Sequence, residues 1–380
     1  FRKNSPLEHL LGQTILYPAF CILAVCGCWR PISWTSICKR LLYNAYTSFI
    51  FLVIHAHGFT QFMDIVLNVK TAEEFTDNFY ILLASLSSCC KIITLLLNRG
   101  TIKMLTRTLD QKPHRPMNAE EANILDDITS IIQYTIMVEV TVLCMVLSSY
   151  FTNYRHNKLA YRAWLPFDYS STFVFTLSYV NQMIGLISAS VLNVACDSII
   201  CGLLIHTCSQ IDILQYRLTK ITPKTSKDLG NCIQYHNDIY RFAYSINEKF
   251  RIIIGIQFII STLVVCFNLY ELTNSPLSTK YLEFVMYMAC MMTQIFIYCW
   301  YGNQLKLKSI EITHTVYEMD WLALDNDAKR SLLMIMRRAR KPIEFTSAGI
   351  NTNSNEQCNF QILKMSYSTY NLLQKSNDGH

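Results

Sequence analysis

Residues Phe173 to Ile205 read FVFTLSYVNQMIGLISASVLNVACDSIICGLLI, an apolar run whose one charged residue is Asp197. About 20 apolar residues suffice to cross the hydrocarbon core as a helix, which satisfies its own backbone hydrogen bonds where no water can. Working outward, comparable runs occupy Leu41–Leu67, Phe79–Leu97, Ile128–Phe151, Ile252–Tyr270 and Tyr281–Tyr301, and a more polar one occupies Asn359–Leu373. Seven spans are expected, with Phe173–Ile205 the fourth. Composition agrees: 51% hydrophobic and 16% charged residues over 380 positions are too apolar and too weakly charged for an ordinary soluble domain.

Charge sets the expected orientation. The N-terminal segment and the connections after the second, fourth and sixth spans hold 25 lysines and arginines, whereas the other connections and the C-terminal tail hold 6. Basic flanks stay cytoplasmic, so the N-terminus is expected inside and the C-terminus outside, the reverse of a G-protein-coupled receptor. The three connections assigned outside contain no cysteine, which argues against a disulfide-stapled ectodomain. Cys26 and Cys28 have no His or Cys partner at zinc-finger spacing and read as small core hydrophobes. The net charge of +6 follows from topology, so no nucleic-acid partner is expected. Neither a nucleophile elbow nor a phosphate-binding Gly-rich loop appears. No enzyme activity and no cofactor are expected.

The chain divides accordingly. Residues 1–40 form an N-terminal segment whose apolar run Ile15–Val25 is interrupted by Pro18, lacks a small-residue cleavage site, and leads into Trp29-Arg30-Pro31. It reads as a short helix at the inner leaflet rather than a signal peptide. Residues 41–301 carry spans one to six. In 206–251 and 302–350, apolar stripes continue past the bilayer through Ile211, Leu214 and Leu218, through Ile239, Phe242, Ile246 and Phe250, and through Leu332, Leu333, Ile335 and Met336. Stripes of that kind need a partner to cover them, and a cytoplasmic bundle of anchor helices is predicted. Within the spans, Glu139 and Asp197 are costly at membrane depth and are expected to pair inside the bundle, while Lys91 and Lys364 lie near cytoplasmic ends and can snorkel.

Residues 355–375 hold the seventh span. On a helical wheel, Phe360, Leu363, Tyr367 and Tyr370 make a bulky face, opposite the smaller or more polar Gln361, Met365, Ser368, Thr369 and Leu372. That pattern suits a helix bordering a water-filled pore, and it equally suits a central helix hydrogen-bonded within one bundle.

Tyr298-Cys299-Trp300-Tyr301-Gly302-Asn303, then Tyr317, Asp320 and Trp321, the basic run Lys329 to Arg340 leading into Lys341-Pro342, Thr346-Ser347-Ala348-Gly349, and Ile362-Leu363-Lys364-Met365-Ser366-Tyr367-Ser368 follow one another in a distinctive order. In order and spacing they resemble the C-terminal signature of insect odorant receptors. Cys26 to Pro31 resembles the family's N-terminal Gly-x-Trp-Pro element, and Asn351 to Gln357 departs from the usual sequence. Related gustatory receptors carry Gln-Phe in the last span, where this chain has Gln374-Lys375; the co-receptor carries a long insertion between spans four and five, absent here.

The resemblance implies an odorant-specific tuning subunit of a ligand-gated, non-selective cation channel. It implies a heterotetramer with the odorant co-receptor in membrane lipid, a small volatile organic ligand, and seventh helices lining the pore. Leu372 falls where the family places an apolar constriction, and Lys375 stands one helical step further out. It also implies a closed apolar pocket in the outer half, between spans two, three, four and six. The outer ends of these spans offer Phe79, Tyr80 and Leu83; Leu147, Tyr150 and Phe151; Phe173, Phe175, Tyr179 and Met183; and Phe284, Met288 and Met291. Ordinary core packing is the alternative for each. Tyr150 and Tyr179 would offer hydroxyls to a ligand oxygen. A metabotropic seven-helix chemoreceptor or a gustatory-type channel is the competing function.

Overall fold

The computed structural model describes residues 16–31, 33–70, 72–109, 111–124, 129–156, 158–274, 279–347 and 350–351. These form helices α1 (Tyr17–Val25), α2 (Ile37–Leu67), α3 (Ala72–Leu109), α4 (Ala119–Asn123), α5 (Thr129–Thr152), α6 (Thr172–Thr219), α7 (Leu229–Asn274), α8 (Thr279–Glu318) and α9 (Asn326–Ala339). Three 3₁₀ turns and a two-residue antiparallel pairing, Thr346 opposite Asn351 and Ser347 opposite Ile350, complete the described elements. Six of these helices, α2, α3 and α5 to α8, are long and apolar enough to cross a membrane. They coincide with the first six spans read from the sequence; the seventh lies outside the described residues.

Burial shows why a bilayer is required. Along α5, Ile132, Ile136, Val140, Leu143 and Leu147 are exposed; along α6, Phe173, Leu177, Val180, Ile184 and Ile187 are. Spacings of three and four place each set in one stripe, and apolar stripes of this length facing water would be untenable. They are faces for lipid. Further along, α6 changes character: from Val194 to Ile211 every residue except Ser198 is buried. A helix buried all round belongs at the centre of a bundle, and α6 packs against α1, α2, α3, α5, α7 and α8.

Pro18 begins α1 instead of interrupting it, since its fixed φ and missing N–H suit the first turn of a helix. Leu16, Ala19, Phe20 and Leu23 of this region enter the main core. Gly27 then turns the chain with φ +74°, and a Cβ there would lie 3.3 Å from the Thr47 backbone and 3.2 Å from the Tyr46 ring. Only glycine combines that conformation with that approach. The hydroxyls of Tyr43 and Tyr46 close the turn by donating to the carbonyls of Ala24 and Val25 at 2.9 and 2.6 Å.

The ends of α6, α7 and α8 run on past the apolar spans, and α9 packs against α7 and α8. Asp325 caps α9 by accepting from the Ala328 N–H at 2.9 Å. Its buried residues, Ala328, Leu332, Ile335 and Ala339, lie on one face. Lys308 pairs with Asp212 at 2.5 Å, and the Tyr240 hydroxyl donates to the Lys341 carbonyl at 3.0 Å beneath the Arg338 guanidinium. Between α3 and α5, Glu121 is buried and grips Arg217 of α6 in a two-pronged pair, both bonds 2.9 Å. Burial alone would raise the Glu121 carboxyl; the Arg217 guanidinium and the Met117 N–H outweigh it and hold the group below its usual value.

Candidate functional site

A cavity of about 80 Å³ lies between α3, α5, α6 and α8. Helical spacing explains which side chains reach it. From α3 come Tyr80, Ala84 and Ser88 with Ile81 and Ser85; from α5, Tyr134, Val138, Thr141, Val142 and Met145; from α6, Leu186, Ala189, Ser190 and Asn193; from α8, Tyr287, Cys290 and Met291. His57 of α2 and Tyr161 of the α5–α6 connection complete the wall. The space exists because Ala84, Ser85, Ser88, Ala189 and Ser190 put small side chains where helices face one another. Gly185 lets α2 approach α6 beside it, a Cβ there falling 3.3 Å from the His57 side chain.

Of the ligand residues expected from the sequence, Tyr80 lines this cavity, and so does Met291. Phe284 meets the Tyr80 ring edge-on at 5.5 Å. Phe79 and Met288 pack against a neighbouring cluster that includes Leu83 and Met291. Phe175, Tyr179 and Met183 join a separate cluster around Ala160, where the hydroxyls of Tyr179 and Ser149 bond to each other at 3.0 Å. Leu147, Tyr150, Phe151 and Phe173 are exposed. The expected pore and gate residues, Gln361, Met365, Ser368, Thr369, Leu372 and Lys375, lie outside the described residues.

The cavity stands on a polar network. Asp197 accepts from four donors: Lys91 Nζ at 2.5 Å and Tyr298 Oη at 2.6 Å on one oxygen, Tyr134 Oη at 3.0 Å and the Gln294 amide on the other. An ionised carboxylate offers about four acceptor positions, and all are filled. Lys91 also donates to the Asn193 side chain. Gln257 of α7 extends the network, donating to Gln294 at 2.8 Å and accepting from Ser87 at 2.7 Å. Five helices are thereby joined in the middle of the bundle, and Tyr134 and Asn193 belong to both the network and the cavity wall. The snorkelling expected for Lys91 does not occur: its side chain is 0% exposed because Asp197, buried beside it, supplies the opposite charge. Asp197 pairs inside the bundle as expected, and Glu139 accepts from Ser190 at 3.5 Å.

Sequence reasoning missed Ser85, Ser88, Tyr134, Thr141, Ala189 and Tyr287 by searching for bulky residues at the outer ends of spans. The signal that could have found them is small or hydroxyl side chains recurring at three and four residues, as in Ala84-Ser85-Ser88 and Ala189-Ser190-Asn193. The described cysteines are all free thiols, and no group of metal-binding side chains occurs among the described residues.

Comparison with known proteins places this architecture. The chain is 24% identical over 365 residues to odorant receptor 46a, isoform A, of Drosophila melanogaster, covering 92% of each. To odorant receptor Or1 of Anopheles gambiae it is 22% identical over 387 residues, again covering 92% of each. The fold matches that of the insect olfactory receptor OR5 from Machilis hrabei with a TM-score of 0.83 at 16% identity, over 94% of this chain and 96% of that one. The same receptor in complex with eugenol matches with a TM-score of 0.81 at 16% identity, over 98% and 100%. The family described as 7tm odorant receptor matches residues 71–367, the greater part of the chain. This multi-pass, all-helical membrane protein therefore belongs to the insect odorant receptor family, a family of chemoreceptors and not of enzymes.

Proposed function

We propose that this chain is the odorant-specific subunit of a ligand-gated cation channel, taking a small volatile molecule into the cavity between α3, α5, α6 and α8. The observation that carries the reading is the cavity itself, mostly apolar and aromatic with a few hydroxyls, inside a membrane-spanning bundle of this family. Such a site holds an apolar guest and orients it with few polar contacts. Tyr134 of the cavity wall and Tyr298, which begins the C-terminal signature, both donate to Asp197, which supports a route by which occupancy reaches the C-terminal part of the chain.

In this reading the extended ends of α6, α7 and α8, with α9, form a cytoplasmic anchor joining four subunits. Exposed Leu307, Ile310, Tyr317, Leu322 and Leu333 in this region give a neighbouring subunit something to cover. The seventh helices line the pore, Gln361, Met365, Ser368 and Thr369 face it, and Leu372 narrows it, since a ring of apolar side chains stops ions by dewetting. Lys375, just beyond, repels cations in proportion to the number of subunits carrying it.

Current recorded in excised patches, without nucleotide or G protein, tests the function. Cells expressing this chain with the odorant co-receptor should give odorant-evoked cation current, and cells expressing it alone should not. A response that needs a G protein would replace the channel with a metabotropic receptor, and robust current from this chain alone would remove the co-receptor from the reading.

Orientation has its own test, motivated by the distribution of basic residues. An epitope after Gly379 should be reached by antibody on intact cells, and one within Thr222–Lys227 only after permeabilisation. The opposite labelling would invert the bundle.

A further inference from the structure

We propose that the ligand of this cavity carries a hydrogen-bond acceptor, an ether, ester, ketone or aldehyde oxygen, and that the Tyr287 hydroxyl donates to it; this rests on the reading of the cavity as the odorant site.

The inference comes from following where the hydroxyl hydrogens of the wall go. Ser85 donates to Gln61 Oε1 at 3.2 Å. Ser88 donates to the carbonyls of Ala84 and Ala189 at 3.1 and 3.2 Å. Tyr134 donates to Asp197, Thr141 to the Met137 carbonyl at 2.8 Å, and Ser190 to Glu139. Each of these donors is occupied by the protein. Tyr287 differs: its hydroxyl is buried and no described residue pairs with it. A buried donor without a partner is costly, and such groups occur where something outside the chain satisfies them.

The surroundings define the rest of the guest. The Tyr287 ring leans against Tyr80, centroids 5.8 Å apart, and Tyr80 against Phe284 at 5.5 Å. The rest of the wall includes Val138, Val142, Met145, Leu186 and Met291. An aromatic or short aliphatic body fits between these walls. Through its O–H the Tyr287 phenol favours an acceptor oxygen over a hydrocarbon of the same shape.

Matched pairs of volatiles provide the test. Acetophenone against cumene, anisole against ethylbenzene, and 2-heptanone against 2-methyl-1-heptene would be compared in cells expressing the chain with the co-receptor. Wild type, Tyr287→Phe and Ala189→Phe would each be measured, with surface labelling of all three. In wild type the oxygenated member of at least one pair should act at about ten-fold lower concentration than its hydrocarbon partner. Tyr287→Phe keeps the ring and should abolish that preference while preserving the hydrocarbon response. Ala189→Phe puts a phenyl ring into the cavity and should silence every pair.

Loss of all responses in Ala189→Phe with the oxygen preference intact in Tyr287→Phe overturns the donor role alone. Responses that survive Ala189→Phe place the ligand elsewhere and overturn the reading of the cavity. A wild type that answers hydrocarbons as well as their oxygenated partners, or that answers no oxygenated member, also refutes the inference.

Discussion

Asp197→Asn should reduce the folded receptor at the cell surface nearly as far as Asp197→Ala, although an amide has the same shape as a carboxylate. Four donors converge on Asp197, from Lys91, Tyr134, Gln294 and Tyr298. Asparagine keeps one acceptor oxygen and turns two N–H bonds toward donors that cannot receive them. It also leaves the Lys91 ammonium, 0% exposed, with no counter-charge. Removing one member of a buried pair costs about 3 to 5 kcal/mol, against a typical total stability of about 5 to 15 kcal/mol. Surface biotinylation and detergent-solubilised gel filtration would read the loss. Lys91→Met should cost less than either Asp197 change, because the carboxylate keeps three donors. Wild-type surface levels for Asp197→Asn would show that the charge does not hold this bundle together.

Glu121→Gln should lower the unfolding temperature of the purified receptor at pH 7, by the equivalent of about 3 kcal/mol, the low end for a buried pair. The milder effect has a structural reason. Arg217 is 13% exposed, donates also to the Pro113 carbonyl at 3.0 Å, and lies over the Tyr235 ring at 4.6 Å, so it retains partners when Glu121 loses its charge. The pH dependence follows from the depressed carboxyl of Glu121. Its folded-state pKa lies below the unfolded value near 4.5, so the stabilisation is complete above that pH and is lost as pH falls through the folded value. The temperature gap between wild type and Glu121→Gln should stay constant from pH 7 down to about pH 5 and close below it. A gap that closes between pH 7 and 5, or none at pH 7, would mean that the pair is not the link between this connection and α6.

Spans one to six were legible in the order of residues, because length and hydropathy are local properties that a bilayer reads directly. The all-helical class followed from the same physics: inside hydrocarbon the backbone has no partner but itself. The C-terminal signature was legible as well, and with it the family. The seventh span, expected from its more polar run, lies outside the described residues.

The candidate site was much less legible, and the misses have one cause. A cavity is made of what side chains leave unfilled, and Ala84, Ser85, Ser88 and Ala189 announce nothing in a hydropathy profile. Aromatic residues at the outer ends, such as Tyr150 and Phe173, stand out in the sequence, yet they are 45% and 77% exposed. Which face of a helix meets lipid and which meets a neighbour depends on the neighbours' positions. Lys91 shows this most plainly: near a cytoplasmic end in the sequence, it reads as a side chain that can reach the interface, and only the packing of α3 against α6 sets it beside Asp197. Local order dictates where a segment crosses the membrane, since each helix forms by itself. Tertiary structure decides which charges meet and where space remains, because both depend on residues far apart in the sequence, as Lys91 and Asp197 are.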